Sequence, residues 1–322
     1  MGAVTVAPMP LDPRVRLALA LQRLGGADDD ATLPARRLAG TLQARRFGPL
    51  VMRPGPPAST CERMVPVAGG AVRVRLYRPA DVAVADERLP LHVFLHGGGW
   101  CVGDLDQRDP RCRSIAAGAG CVVASVDYRL APESAFPTPL DDCDTALRWL
   151  VDHADELWVD PARVSIGGES AGANLAAVVA LRCRDRGGAP LRFQWLDVPA
   201  TDLTLSQPSV DRLGTGYGLT KVDIERYVDA YLAGADPKDP SASPLHASDL
   251  TGLPPAFVTT VEYDPLRDEG IAYAERLREA GVPVEHHDIP GLVHASFAFT
   301  RLLPSARRHE ERAVAALRHA LA

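Results

Sequence analysis

The sequence predicts an α/β fold, with a mostly parallel central sheet flanked by helices on both faces. Strand-like and helix-like segments alternate from about residue 91 to the end of the chain. The strand-like segments are continuous apolar runs, which are typical of parallel strands buried on both faces. The chain has 322 residues, 46% of them hydrophobic, so it can bury a large core in one α/β domain or two smaller ones.

The first third of the chain is predicted to hold two helices and a hairpin. Apolar residues recur through 11–47, with a break at Gly25-Gly26 and three aspartates, and indicate two helical pieces. The run Arg53-Pro-Gly-Pro-Pro57 cannot form regular structure and is interpreted as a linker. Residues 62–67 and 72–77 alternate β-branched and polar side chains around a turn, which predicts an antiparallel pair at a sheet edge.

The alternating segments then follow in order. Strands are predicted at 91–95, 121–126, around Val164 and Ile166, and at 193–198, 256–261 and 284–289. Helices are predicted at about 108–119, 139–155, from Leu175 onward, and at 266–280 and 304–321. Residues 200–245 interrupt this rhythm, and a connection of that length in a compact domain is usually functional, such as a lid.

Composition argues for a small-molecule ligand. The formal net charge is −6 and 24% of the residues are charged, so there is no basic surplus for nucleic acid or an anionic membrane. The start resembles no signal peptide, and no run approaches the ~18 apolar residues of a membrane span. We therefore expect a cytoplasmic protein without stable membrane insertion. Six cysteines scattered without C-x-x-C spacing predict reduced thiols, and the lack of an H-x-x-x-H or H-x-H pair predicts no metal site.

A serine stands at a predicted strand-to-helix turn. Gly168-Glu-Ser170-Ala-Gly172 follows a short apolar run and precedes a helix-like pattern. Glycine on either side lets the backbone turn sharply and expose the serine hydroxyl. A plain Gly-Ser loop before an Ala-rich helix is the alternative interpretation of this stretch.

A serine nucleophile needs a general base, a group that orients the base, and donors for the oxyanion. His96-Gly-Gly-Gly-Trp100 directly follows a predicted strand, so its backbone N–H groups can approach a substrate oxygen. A merely flexible turn is the alternative. His96 itself is expected to brace this turn.

An acid and a histidine follow two later strands. Asp264 comes after the strand that ends at Val261, and His294 after the one that ends at Ile289. The carboxyl ends of parallel strands meet at one edge of a sheet, so both side chains are expected near Ser170. Asp264 would orient His294, although it could also be a helix N-cap, and Asp268 and Glu262 are the competing acids. The remaining histidines are expected to be solvated, packed or within a strand.

Several motifs together resemble the bacterial hormone-sensitive-lipase-like esterases of the α/β-hydrolase superfamily, with partial closeness to a bacterial heroin esterase. They occur in the family's order: His96-Gly-Gly-Gly-Trp100, Asp127-Tyr-Arg-Leu-Ala-Pro-Glu133, Gly168-Glu-Ser-Ala-Gly172, Asp264-Pro-Leu-Arg-Asp-Glu269 and Gly291-Leu-Val-His294. Three positions depart from the family's usual residues, namely Glu169 before the serine, Ala173 where Gly is frequent, and Ala295 after the histidine.

The resemblance implies an α/β-hydrolase fold with a helical cap. Residues 1–55 would supply N-terminal cap helices and a linker, and residues 56–322 the hydrolase domain with a cap insertion at about 200–245. Ser170, His294 and Asp264 would be nucleophile, base and orienting acid. The resemblance also implies that the N–H groups of Gly98, Gly99 and Ala171 form an oxyanion hole. The side chains of Arg129 and Glu133 would be buried supports.

The predicted function is hydrolysis of small carboxylic esters, with short to medium acyl chains, through an acyl-enzyme and without a cofactor. An amidase or deacetylase with the same triad is the alternative, and a non-catalytic binding protein on this scaffold is a third reading. Candidate residues lining the substrate site are Trp100, Tyr217 and Phe297. The sequence leaves the oligomeric state open, although members of the family often pair through the last strand and helix, and the resemblance therefore admits a homodimer.

Overall fold

The computed structural model describes residues 10–24, 32–80 and 88–322. The predicted break at Gly25-Gly26 and the aspartates after it lie outside these ranges. Residues 53–57 adopt no helix or strand, as the run of prolines and glycine predicts.

The strands of the described ranges form one eight-stranded sheet in the order β1-β2-β4-β3-β5-β6-β7-β8. Their bounds are β1 Ala58–Val67, β2 Gly70–Pro79, β3 Leu89–Leu95, β4 Val122–Asp127, β5 Val159–Glu169, β6 Leu191–Asp197, β7 Ala256–Tyr263 and β8 Val284–Val293. The hairpin β1–β2 is antiparallel and lies at one edge, and β2 pairs antiparallel with β4. All other pairs are parallel, so the predicted mostly parallel sheet is confirmed.

Helices cover both faces of the sheet. They are α1 Pro13–Leu24, α2 Leu33–Val51, α3 Leu105–Ala119, α4 Thr138–Asp152, α5 Ala154–Leu157, α6 Ala171–Arg186, α7 Pro208–Leu213, α8 Lys221–Leu232, α9 Arg267–Glu279 and α10 Pro304–Leu321. Along β3, Val93 and Phe94 point into separate clusters. The cluster around Phe94 includes residues of α3 and α10, and the one around Val93 includes residues of α4, α6 and α9. This alternation follows from the two-residue period of a strand.

Two of the observed helices differ in their bounds from the predicted ones. Helix α3 begins earlier than expected, at Leu105, because the Asp104 side chain accepts a hydrogen bond of 2.8 Å from the N–H of Gln107. It ends at Ala119, and the capping residue Gly120 that follows has a left-handed φ of 67°. The helix predicted at 139–155 is instead two helices, since α4 stops at Asp152 and the short α5 follows.

The long connection between β6 and β7 contains α7, α8 and the 3-10 turn Pro244–His246. Helix α8 is linked to α2, because Arg36 Nη1 lies 2.8 Å from Asp223 Oδ1. Across the described ranges, none of the helices is both long and apolar enough to cross a membrane.

The expectation that Glu133 is a buried support is wrong. Its side chain is 53% exposed, and it pairs at the surface with Arg37 of α2 at 2.6 Å. Arg129 is half-buried, and its Nε donates to Asp142 Oδ2 at 2.9 Å. The motif therefore anchors α2 and α4 to the sheet, because each side chain reaches outward to a helix.

Candidate active site

Ser170 occupies the turn between β5 and α6. It adopts φ 54° and ψ −121°, a conformation that L residues rarely adopt, and its N–H donates to Asp197 O at 2.8 Å. A Cβ on Gly168 or Gly172 would lie 2.4 Å or 2.1 Å from Leu95 O on the neighbouring strand. Glycine at both positions therefore permits the close crossing that raises the serine at the carboxyl edge of the sheet.

His294 and Asp264 reach Ser170 from the ends of the last two strands of the sheet. Asp264 follows β7, and His294 follows β8 and opens the 3-10 turn His294–Ala298. His294 Nε2 lies 2.9 Å from Ser170 Oγ, and its Nδ1 lies 2.7 Å from Asp264 Oδ2. An ionised carboxylate only accepts hydrogen bonds, so this contact places the proton on Nδ1 and leaves Nε2 free to accept from the serine.

Asp264 meets the histidine but is not the N-cap of α9, because Leu266 holds that position and makes no side-chain cap hydrogen bond. Its Oδ1 accepts from the N–H of Leu266 at 2.9 Å while Oδ2 meets the histidine. Of the competing acids, Glu262 accepts from the N–H of Gly291 at 2.8 Å, and Asp268 contacts Arg212 at 3.2 Å. Asp264 is thus the acid that contacts the histidine, whereas Glu262 and Asp268 contact other groups.

The glycine loop after β3 faces the serine turn. Gly98 and Gly99 have φ of 126° and 55°, and a Cβ on Gly98 would lie 2.1 Å from Val102 O. Among the described residues, neither of their N–H groups donates to a protein acceptor. Ala171 is the first residue of α6, where helix N–H groups have no intrahelical acceptor. These three N–H groups are available to a ligand oxygen.

His96 packs beneath this loop, as its predicted bracing role requires. Its ring stacks on Tyr128 with centroids 4.3 Å apart, and its Nδ1 lies 2.9 Å from Gly97 O. Burial lowers the pKa of His96, which favours the neutral ring. Six other histidines have partners away from the serine: His92, His153, His246, His286, His287 and His309.

A cavity of about 230 Å³ opens on Ser170 and His294. Trp100 and Phe297 line it, as does Ala295, the residue that departs from the family pattern. Tyr217 is not among the residues that line it. Its ring lies against Tyr263 with centroids 4.9 Å apart, and this packing holds it away from the cavity.

The insertion supplies much of the cavity wall. Its contribution is mostly apolar: Leu203, Leu205, Leu219, Ile224, Tyr227 and Val228. A Cβ on Gly99 would collide with the Tyr227 ring at 2.4 Å, so the insertion packs directly on the glycine loop. Sequence patterns did not single out these residues, because their place in the wall depends on how the insertion folds over the sheet.

Glu169 lies in a buried ionic cluster beneath the serine. Its carboxylate is fully buried and accepts from Arg108 and from Arg111, the latter at 2.5 Å. Arg111 also pairs with Asp197, which His309 Nε2 approaches to 3.1 Å. Burial alone would raise the pKa of Glu169, but the two guanidinium groups offset it and the pKa lies below its usual value. The departure at 169 is thus matched by two arginines.

A second buried acid, Glu269, lies in the cavity wall. Its Oε1 accepts from the N–H groups of Thr201 and Asp202 at 2.7 and 3.2 Å. Burial raises the pKa of Glu269 well above its usual value. The motif Asp264 to Glu269 contains this residue, but nothing in the pattern distinguished it from a surface acid.

Neither thiols nor metal ligands gather at the site. All six cysteines are free, and all except Cys61 are buried. The described ranges contain no group of three His, Cys, Asp or Glu side chains arranged to hold a metal ion.

Comparison with known proteins gives concordant matches. The profile of a family described as having an alpha/beta hydrolase fold matches residues 92–298. Carboxylesterase NlhH of Mycobacterium tuberculosis is 44% identical over 254 residues, which are 78% of this chain and 79% of that protein.

Two solved structures are similar over nearly the whole chain. An ester hydrolase from the metagenome of Lake Arreo has a TM-score of 0.90 and 38% identity, over 96% of this chain and 98% of that one. A bacterial heroin esterase has a TM-score of 0.87 and 37% identity, over 97% of this chain and 98% of that one.

Proposed function

The chain belongs to the α/β-hydrolase family, among the carboxylic ester hydrolases related to hormone-sensitive lipase, and we propose that Ser170, His294 and Asp264 are its catalytic triad. The observation that carries this proposal is the continuous contact from Ser170 Oγ to His294 at 2.9 Å and from His294 to Asp264 at 2.7 Å. It supports ester hydrolysis over the non-catalytic reading, because a binding scaffold has no need of an oriented base beside an exposed serine.

In the proposed reaction His294 Nε2 takes the serine proton as Ser170 Oγ attacks the ester carbonyl. The resulting imidazolium is stabilised by Asp264 and gives its proton to the leaving alcohol as the tetrahedral intermediate collapses. A water molecule then attacks the acyl-enzyme by the same route, and the acid and free serine are released.

The oxyanion of each intermediate would lie against the N–H groups of Gly98, Gly99 and Ala171. Support comes from the two glycine N–H groups having no acceptor among the described residues, and from the position of Ala171 at the start of α6. Such fixed donors stabilise the transition state more than water does, because they need no reorganisation.

We propose acyl chains of short to medium length as substrates. The cavity of about 230 Å³ is below the ~300–1,000 Å³ typical of sites for drug-sized ligands. Its apolar wall from the insertion suits an alkyl chain and offers little room for a long one.

Residues 56–322 are proposed to be the hydrolase domain. Its insertion at 200–245, together with the N-terminal helices within residues 1–55, is proposed to form the cap. For the insertion, support comes from the six side chains that it places in the cavity wall. For α2 the support is indirect, because its Arg36 contacts α8 while none of its described residues lines the cavity.

The test is hydrolysis of p-nitrophenyl esters from acetate to dodecanoate by the native chain and by Ser170→Ala, His294→Ala and Asp264→Asn. We expect the native rate to peak at short chains and the first two variants to lose about 10⁴-fold or more in kcat. Asp264→Asn should lose nearly as much, because an amide stabilises the wrong histidine tautomer. Activity that survives in Ser170→Ala would refute the assignment of the nucleophile.

A homodimer through β8 and α10 is also proposed. Strand β8 is the last strand of the sheet and pairs on one side only, with β7, among the described residues. Light scattering after size exclusion should give twice the chain mass of 34.4 kDa, and a mass of one chain at micromolar concentration would exclude the dimer.

A cytoplasmic location is proposed from the thiols. Five buried free cysteines suit a reducing compartment, where thiols stay reduced. Fractionation of the native host checks this, since recovery outside the cytoplasmic fraction would contradict it.

A further inference from the structure

Arg108 places a cationic side chain in the wall of the substrate cavity. It lies in the first turns of α3 and lines the cavity together with Ser170 and Phe297, with 16% of its side chain exposed. Its Nε donates to Glu169, and within the described ranges its two terminal nitrogens have no protein acceptor. One planar edge of the guanidinium group therefore remains available to a ligand.

The charges around Arg108 leave it able to attract an anion. Its partner Glu169 is shared with Arg111, which also pairs with Asp197, so Arg108 has one of the two oxygens of a single carboxylate as its ion-pair partner. Neither Glu169 nor Asp197, the other acid of this cluster, is among the residues that line the cavity. Arg108 is thus the member of the cluster that a substrate meets.

Asp202 is an ionised acid in the cavity wall, because hydrogen bonds from Thr204 and Ser206 outweigh the effect of burial and lower its pKa to about 2. Asp202 directs both carboxylate oxygens to other partners, His246 Nε2 at 3.0 Å among them. Burial raises the pKa of Glu269, which favours its uncharged form. Asp264 is held by His294.

Arg108 lies on the side of the cavity where the alcohol part of the substrate is expected to bind. His294 delivers a proton to the leaving alcohol, so that part of the ester departs on the side of His294. Phe297 belongs to the 3-10 turn that starts at His294, and the Arg108 guanidinium carbon lies 5.8 Å from the centre of its ring. The apolar side chains of the insertion remain for the acyl chain.

We propose that Arg108 is a specificity-determining residue that favours esters whose alcohol part carries a carboxylate. The planar guanidinium edge matches the two oxygens of a carboxylate and can form two parallel hydrogen bonds with it. This inference rests on the proposed catalytic function and specifies its substrate class.

The experiment compares two butanoate esters with the same skeleton, 2-carboxyethyl butanoate and 3-methylbutyl butanoate. The ratio of their kcat/KM values is measured in the native enzyme and in Arg108→Met, which keeps a long apolar stem. Intrinsic differences in ester reactivity cancel when the two enzymes are compared. We expect the ratio to fall about tenfold or more in the variant, because the carboxylate ester loses a paired contact that the 3-methylbutyl ester never makes.

A second pair with the carboxylate on the acyl side, ethyl hydrogen succinate and ethyl 4-methylpentanoate, is the matched control. Its ratio should be the same in both enzymes. An unchanged ratio for the butanoate pair overturns the proposal, and so does a fall confined to the acyl-side pair.

Reaction of Ser170 with an organophosphate shows whether Arg108→Met keeps its active-site fold. If it does not react, Arg108→Lys replaces it, and we expect at least a threefold fall in the ratio because an ammonium group cannot form the paired contact. An unchanged ratio in Arg108→Lys then overturns the inference. If the native enzyme hydrolyses none of the four esters, the proposed function itself fails, which is a distinct result.

Discussion

Glu269 is a carboxylic acid buried between α9 and the start of the insertion, and it is 1% exposed. Its Oε1 accepts two backbone hydrogen bonds, while its Oε2 has no partner among the described residues. Burial is the main cause of its raised pKa, and the nearby carboxylates of Asp202 and Asp264 add to it. The cavity wall therefore carries less negative charge than its residue types suggest.

Glu269→Gln should become more stable relative to the native enzyme as the pH rises. The raised pKa means that the native state keeps a proton that the unfolded chain releases above its ordinary pKa of about 4.3. Unfolding free energy is then lost with increasing pH, by up to ~1.4 kcal/mol per pH unit. The uncharged amide has the same shape and no such loss.

The measurement is the Tm of both proteins from pH 5 to pH 8. Glu225→Gln, on the solvent side of α8 with 48% of its side chain exposed, serves as control and should show a flat difference. A Tm difference for Glu269→Gln that is constant or falls with pH would contradict the protonated form.

The turn between β5 and α6 is the element that positions the nucleophile. Its geometry depends on α6 passing close to the end of β3, where a Cβ on Gly172 would lie 2.1 Å from Leu95 O and 2.5 Å from His96 O. Backbone atoms cannot move aside as a flexible side chain can. The start of α6 and the glycine loop after β3 are thus held in one fixed relation.

Gly172→Ala should lower the free energy of unfolding by about 1–3 kcal/mol, the usual cost of an overpacked site. It should also lower esterase activity, since the displaced helix carries Ser170 with it. Gly48→Ala in α2 is the control, because nothing lies within 4 Å of its Cβ position. That substitution should stabilise by about 0.5–1 kcal/mol, as alanine favours a helix. Equal effects in urea unfolding would count against the steric explanation.

For the whole molecule, the buried ionic cluster connects elements far apart in the chain. Arg111 of α3 meets Glu169 of β5 and Asp197 of β6, and His309 of α10 meets Asp197. Burial opposes the charged form of Asp197, but Arg111 and His309 reverse this and lower its pKa. Glu169 and Asp197 both have lowered pKa values in the folded protein, so their ionised forms stabilise the fold above pH ~4. This contribution is lost as the pH falls through the pKa values of the folded state.

Glu169→Gln should cost about 3–5 kcal/mol of unfolding free energy, because it leaves two guanidinium groups without their shared carboxylate in a buried site. The control is Asp155→Asn, which breaks an ion pair with Arg88 whose aspartate side chain is 86% exposed. Exposed pairs contribute about 0–1 kcal/mol. Urea unfolding of both variants checks the difference, and similar small losses would show that the cluster is dispensable.

Sequence reasoning reached the fold and the three residues proposed for catalysis. The order of apolar runs predicted the mostly parallel sheet, and the sheet places Ser170, Asp264 and His294 at the ends of β5, β7 and β8. These features could be predicted because each depends on a local signal, such as a strand followed by glycine and a reactive side chain. The catalytic roles themselves stay a prediction until the variants are measured.

The amino-acid sequence by itself determined the strand order along the chain, the sharp serine turn and the availability of an acid and a base after later strands. Tertiary structure alone decided which side chains surround the substrate. Tyr227 and Arg108 line the cavity while Tyr217 does not, and Glu133 lies at the surface. The physical reason is that turns and strands follow from neighbouring residues, whereas the cavity wall is set by long-range packing of the insertion and α3 around the sheet edge.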